Sequence, residues 1–259
     1  MGDNFTIAIA GKGGTGKTTF AGLVIRYLIK NNLIPILAVD ADANANLNEV
    51  LGVKVIKDIG SLREETIEGS KNLPAGMPKE TYIELRLQEA IVEASGFDLI
   101  VMGRPEGPGC YCYANQLFRK YIDILTDSYR FTLMDNEAGM EHLSRRTTKD
   151  VDVLFIVSDP SMRGLRSAVR IRNLVDELKL SIKEMRLIIN RADEEVVKNF
   201  ETFIRENRLE LAGVIPNDDL IFEYDLYGKP IFDLHKESKA VIAVESIVER
   251  NIKLLISQS

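Results

Sequence analysis

Apolar runs of strand length recur along the chain, at residues 6–10, 35–39, 98–102, 131–134, 153–157, 186–189 and 212–215. Between many of them lie longer stretches, at 17–30, 80–94, 114–126, 162–178 and 194–207, with apolar residues at helical spacing. Continuous apolar strands need cover on both faces, and intervening amphipathic helices supply it. The expected architecture is therefore α/β, a mostly parallel sheet flanked by helices, in a single domain over residues 1–259. Hydrophobic residues make up 45% of the chain and charged residues 28%, which excludes a mainly disordered or collagen-like protein. No Ser/Gly/Pro-rich linker or repeat divides it, and residues 54–78 read as a loop-rich insertion.

Directly after the first apolar run comes Gly11-Lys12-Gly13-Gly14-Thr15-Gly16-Lys17-Thr18, followed by Thr19, at the start of a predicted helix. The pattern and its strand-loop-helix setting fit a phosphate-binding P-loop. Glycines let backbone N–H groups curve around phosphate oxygens, and the helix N-terminus adds favourable partial charge. Lys17 is placed to reach the β- and γ-phosphates, and the Thr18 hydroxyl to ligate Mg²⁺. A mere Gly-rich turn is the competing reading, and the strand-loop-helix placement argues against it.

The extra lysine, Lys12, changes the reading. Lys-Gly-Gly-Thr-Gly-Lys-Thr resembles the deviant P-loop of the nitrogenase iron protein, MinD and ParA class. That resemblance implies an ATP-dependent homodimer in which Lys12 reaches the nucleotide of the facing subunit. There its positive charge would act as the γ-phosphate passes to water.

Two acidic strand ends follow. Asp40-Ala41-Asp42-Ala43-Asn44 stands at the carboxyl edge of the second strand, where open α/β sheets bind ligands. By the same resemblance this is switch I, with Asp42 positioning or polarising the attacking water and Asp40 organising the Mg²⁺ shell or the loop. Two acids at a strand end would by themselves read as solvated turn residues; the preceding P-loop reverses that preference. Asp135-Asn136-Glu137-Ala138-Gly139 matches a Walker B and switch II pattern, in which Asp135 holds Mg²⁺ through water and Gly139 offers its N–H to the γ-phosphate. His142 lies nearby, but as one of two histidines it reads better as a surface or packing residue than as a ligand.

Asn190-Arg191-Ala192-Asp193 follows a later strand, where this class places an Asn against the base, and an Asn side chain can both donate to and accept from adenine. The same four residues differ from the guanine-reading Asn-Lys-x-Asp motif only by Arg for Lys, so GTP is an alternative. The turn at residues 213–217, with Pro216, resembles the second base-contacting segment of the ATP-using relatives and favours ATP. A plain connecting loop is an equal reading of that turn taken alone.

The chain has only two cysteines, Cys110 and Cys112, too few to staple a fold of this size. Two thiolates at this spacing can grip one soft or borderline metal ion, and a twofold-related second copy would complete a four-ligand site. Taken alone, Cys-x-Cys reads more readily as two reduced thiols. Together, the deviant P-loop, Gly-Cys-Tyr-Cys and Asp-Asn-Glu-Ala-Gly-Met-Glu-His resemble the CooC/AcsF family of accessory ATPases, which mature the nickel centres of carbon monoxide dehydrogenase and acetyl-CoA synthase. The resemblance implies that Cys110 and Cys112 of two subunits bind Ni²⁺, with Zn²⁺ as the other candidate, and that nucleotide turnover delivers the ion. A MinD- or ParA-like partner-binding switch and a nickel-inserting GTPase are the competing functions.

The formal charge of −6 and the absence of a contiguous Lys/Arg cluster argue against a large nucleic-acid surface. The first apolar run is short and preceded by Asp3 rather than a cation, so no secretory signal is expected and the location reads as cytoplasmic. No apolar stretch approaches the roughly 20 residues that span a bilayer, and the final helix, over 240–256, has no basic face for a membrane surface.

Overall fold

The computed structural model describes residues 4–42, 44, 46–62, 77–103, 124–136 and 151–256. Its framework is an eight-stranded sheet built from β1 (Phe5–Gly11), β2 (Ile36–Asp40), β3 (Val92–Ala94), β4 (Phe97–Val101), β5 (Phe131–Asp135), β6 (Val151–Ser158), β7 (Ile182–Asn190) and β8 (Leu211–Ile215). The strand order is β3-β4-β2-β5-β1-β6-β7-β8, and every pairing is parallel except β3 with β4. The expected mostly parallel, helix-covered sheet is the observed one.

The pleat explains why the central strands are apolar throughout. In β1, Ile7 and Ile9 enter one core and Ala8 and Ala10 the other; in β2, Ile36 and Ala38 face one side and Leu37 and Val39 the opposite. The first core is closed by α1 (Lys17–Lys30), α2 (Leu47–Leu51) and the long C-terminal helix α8 (Lys239–Ile256). The second is closed by α3 (Lys79–Gln88), α4 (Met162–Leu178), α5 (Glu194–Lys198) and α6 (Glu201–Glu206). A further helix, α7 (Asp219–Leu226), follows β8, and among the described residues no helix is long and apolar enough to cross a membrane.

Two elements differ from the sequence expectation. The helix expected over 80–94 stops at Gln88, and the chain turns through Ser95-Gly96 to form the β3–β4 hairpin at the sheet edge. The helix expected over 194–207 is broken, because the Asn199 side chain donates back to the Val196 carbonyl at 3.2 Å and ends the first segment. Most of the insertion expected at 54–78 lies outside the described residues.

The topology fixes the site. β1, β2, β5 and β6 are parallel, so their carboxyl ends emerge along one edge, and the register sets Asp40 opposite Asp135 and Gly11 opposite Val157.

Candidate functional site

The phosphate loop turns directly from β1 into α1. Its bend is closed by Thr15, whose hydroxyl donates to the Lys12 carbonyl at 2.8 Å and whose N–H reaches the same oxygen at 3.3 Å. Gly16 sits at φ +90°, the left-handed region open to glycine, and a Cβ there would lie 2.3 Å from the Asn190 amide nitrogen. On Gly11, a Cβ would lie 2.2 Å from the Val157 carbonyl oxygen of β6. Both glycines are thus required by close approach of a neighbouring strand end. Lys17 is buried at the head of α1, whereas Lys12, Gly13 and Gly14 are exposed.

Asn190, at the end of β7, is buried against this loop. Its side-chain amide donates to the Thr15 carbonyl at 2.8 Å, and its side-chain oxygen accepts the Arg191 N–H at 3.0 Å. The side chain expected to contact a base therefore also holds the phosphate loop to the sheet.

Asp40 and Asp135 are both fully enclosed. Asp40 accepts from the backbone N–H of Asp42 and of Leu47, each at 3.0 Å, so it shapes the loop after β2 and holds the start of α2. Burial pushes its carboxyl up to about 6, against those backbone donors and with Asp42 adding to the rise. Asp135 is pushed up to about 7, chiefly by burial; the Thr18 hydroxyl and Lys17 oppose the shift, and Asp40 and Asp42 reinforce it.

One Asp135 oxygen, Oδ1, is buried without any hydrogen-bond partner, as is Oδ1 of Asn136. An acceptor orphaned beside a hydroxyl and a lysine is costly unless something cationic or protic completes it. Hard oxygen donors of this kind suit Mg²⁺, so Asp135 and Thr18 are the residues that could hold it. Asn136, which the sequence reading gave no role, locks β5 to β1: its N–H and side-chain amide both donate to the Ile9 carbonyl at 3.0 Å. Only the register across the sheet shows this.

The phosphate loop opens onto a cleft of about 1160 Å³ lined by Lys17, Thr18, Thr19, Asp42, Asn44, Arg191, Asp225 and Lys229, while Asp40, Asp135 and Asn136 stay enclosed and do not line it. The Asp42 carboxylate accepts the Asn44 N–H at 2.8 Å, an Asx turn that presents Asp42 at the cleft wall. Pro216 does not border this cleft; it lines a separate groove of about 760 Å³ along the β8 edge. Gly139, Cys110 and Cys112 lie outside the described residues, as do Ala43 and His142.

Residues 6–231 match the CobQ/CobB/MinD/ParA nucleotide-binding domain. The chain belongs to that family. It is 44% identical to the ATP-binding protein MJ0685 of Methanocaldococcus jannaschii over 95% of this chain and 98% of that one. It is 32% identical to the carbon monoxide dehydrogenase accessory protein CooC of Rhodospirillum rubrum, over 94% and 96% of the two chains. The fold superimposes on the septum site-determining protein MinD of Pyrococcus horikoshii, solved with Mg-ADP, with a TM-score of 0.66, 21% identity and 99% of both chains covered. In this CobQ/CobB/MinD/ParA protein, the phosphate loop, the Asp40–Asp135 pair and Asn190 all converge on the carboxyl edge of the sheet.

Proposed function

We propose that this protein binds ATP with Mg²⁺ and hydrolyses it as a homodimer, and that the cycle serves a metallochaperone. In this reading Cys110 and Cys112 of each subunit hold nickel, which passes to carbon monoxide dehydrogenase or acetyl-CoA synthase. The observation that carries the nucleotide half is the buried, partnerless Asp135 Oδ1 beside Thr18 and Lys17, at the head of a phosphate loop. The metal half is supported by the near full-length similarity to CooC and by the Cys110-Tyr111-Cys112 sequence.

The chemistry follows from placement. Backbone N–H groups of the loop and the buried Lys17 balance the charge on the β- and γ-phosphates, and Asp42 at the cleft wall orients the attacking water. Mg²⁺, when bound, neutralises phosphate charge beside Asp135 and Thr18. Lys12 is exposed beside its own loop, free to act on the nucleotide of a facing subunit. Loss of the γ-phosphate then removes a ligand that Asp42 and Gly139 engage, and the two dimer arrangements change in relative stability.

Each chain offers two thiolates, and a twofold-related pair supplies four. Zn²⁺ in such a site is tetrahedral, whereas Ni²⁺ favours a square plane, so the spectrum of the bound ion separates them. A MinD- or ParA-like switch, whose output is partner binding alone, is the second reading, favoured by the superposition on MinD. GTP in place of ATP is the remaining alternative, drawn from Asn190-Arg191-Ala192-Asp193, and parallel hydrolysis assays decide between the nucleotides.

Anaerobic equilibrium dialysis of the reduced protein against Ni²⁺, with a Cys110→Ala/Cys112→Ala control and a sizing column, tests the metal half. The expected result is about one ion per two chains, on a dimer, lost in the control. Equal binding by wild type and control removes the metallochaperone and leaves the nucleotide switch.

A further inference from the structure

Helix α4 carries Arg163, Arg166 and Arg170 at spacings of three and four residues, which places all three on one face. The opposite face, with Leu165, Ala168, Ile171 and Val175, is buried on the second core, so the arginines point to solvent, and all three are exposed. None has an ion-pair partner among the described residues, although Arg172 on the same helix pairs with Asp176 at 3.6 Å. The next acid on the arginine face, Glu177, lies two turns beyond Arg170.

This arrangement works against the isolated helix. Its first turn contains no acid, and Arg163 and Arg166 stand near the end where the helix dipole is already positive. Ser161 caps that end, its hydroxyl accepting the Gly164 N–H at 3.0 Å and donating to the Asp159 carboxylate, so one acid stands at the helix start and none lies within the arginine row itself. A row of unpaired guanidinium groups on a chain of net charge −6 is complementary to an external anionic surface.

We infer that the Arg163–Arg166–Arg170 face of α4 is a docking surface for an acidic protein partner, specifically a helix or extended segment presenting carboxylates in a row. Guanidinium groups take carboxylates in paired hydrogen bonds, and three such contacts fix the register of a partner segment. The row covers eight residues of helix, Arg163 to Arg170, about 10 Å, and is followed on the same face by Asn173 and Glu177. That is a short patch with an acidic boundary, suited to a peptide segment; a duplex follows a longer basic track, and the acidic chain repels it. Met162, 39% exposed one residue before Arg163, adds an apolar contact at one end. The surface lies outside the nucleotide cleft and does not depend on which metal or nucleotide the protein uses.

The test uses the full-length protein and three labelled probes in fluorescence anisotropy. The first is a helical glutamate–alanine peptide with glutamates on one face, the second its scrambled isomer, and the third a 20-base-pair DNA duplex. The wild type is compared with Arg163→Glu/Arg166→Glu/Arg170→Glu and with Arg205→Glu/Arg208→Glu, a charge reversal elsewhere; nucleotide binding confirms that each variant is folded. The expected result is salt-sensitive binding of the patterned peptide, tighter than the scrambled one, weakened about tenfold or more by the triple reversal and unchanged by the control pair. Equal affinity for wild type and triple variant, or equal binding of the two peptides, overturns the inference. Tighter binding of the duplex that is lost in the triple variant also overturns it, in favour of nucleic acid.

Discussion

The side-chain amide of Asn190 donates to the Thr15 carbonyl across 2.8 Å, joining the end of β7 to the bend of the phosphate loop. The bond is buried, and the Cβ-free surface of Gly16 is what lets Asn190 approach. Asn190→Ala leaves the Thr15 carbonyl unpaired, at a cost of about 1–2 kcal/mol to the ordered loop. The expected outcome is nucleotide affinity weakened about 5- to 30-fold with the fold retained, read by titration calorimetry.

Gly16→Ala perturbs the same contact from the other side. The new methyl meets the Asn190 amide at 2.3 Å, and alanine at φ +90° is strained by about 1–3 kcal/mol. Nucleotide binding is therefore expected to fall further than in Asn190→Ala. The double variant tests the coupling: with Asn190 truncated, the clash disappears and only the backbone strain remains, so the two losses are less than additive.

These contacts mark where the sequence stops being informative. The strands β1, β2 and β4 to β8 were legible because each is a continuous apolar run between turn signals, and the phosphate loop because its chemistry is local. β3 was not, since Val92–Ala94 is a short half-exposed edge at the end of a helical period. The tie from Asn190 to Thr15 spans 175 positions, and the lock from Asn136 to Ile9 spans 127. Such bonds follow from strand order, and strand order is a property of the whole sheet. Asp40 was legible as a candidate acid, but its grip on both the Asp42 and Leu47 N–H groups required the loop geometry.

Asp218 links helix capping to acid stability. Its carboxylate accepts from the Leu220 N–H at 3.0 Å, the Ser238 hydroxyl at 2.6 Å and the Ala240 N–H at 3.0 Å, so one side chain serves the starts of both α7 and α8. Burial raises its pKa, but these hydrogen bonds outweigh burial and the net shift is downward. A carboxyl with a lowered folded pKa contributes stability that is present above its unfolded value and lost as pH falls through the folded value. Asp218→Ala is expected to cost about 1–2 kcal/mol near neutrality, a melting-point drop of a few degrees. The gap between wild type and variant should close below about pH 4, read by melting curves across pH.

Asp135→Asn separates metal from fold. The amide keeps the shape of the buried side chain but removes the charge that suits a hard cation. The variant should fold and bind nucleotide in the absence of Mg²⁺ much as the wild type does. The added affinity that Mg²⁺ gives should vanish, and hydrolysis should fall by about 10²-fold or more. Calorimetry with and without Mg²⁺, beside a phosphate-release assay, reads both effects; Mg²⁺-enhanced binding that survives in the variant would remove Asp135 from the metal site.

Lys12 gives the sharpest test of the proposed dimer. It is exposed, while Lys17, five residues on, is buried at the head of α1. Lys12→Ala is expected to bind nucleotide normally and to lose hydrolysis by about 10²- to 10³-fold, because a charge aimed at the transition state is missing. Mixing that variant with Asp135→Asn then distinguishes action across the interface from action within a chain. In a mixed dimer, the Lys12→Ala subunit keeps its own Asp135 and receives Lys12 from its partner. If Lys12 works across the interface, a 1:1 mixture of freely exchanging subunits makes about half of all dimers mixed, each with one competent site, and recovers about a quarter of wild-type activity. If Lys12 serves its own nucleotide, both sites of every mixed dimer remain defective and the mixture stays as inactive as its components.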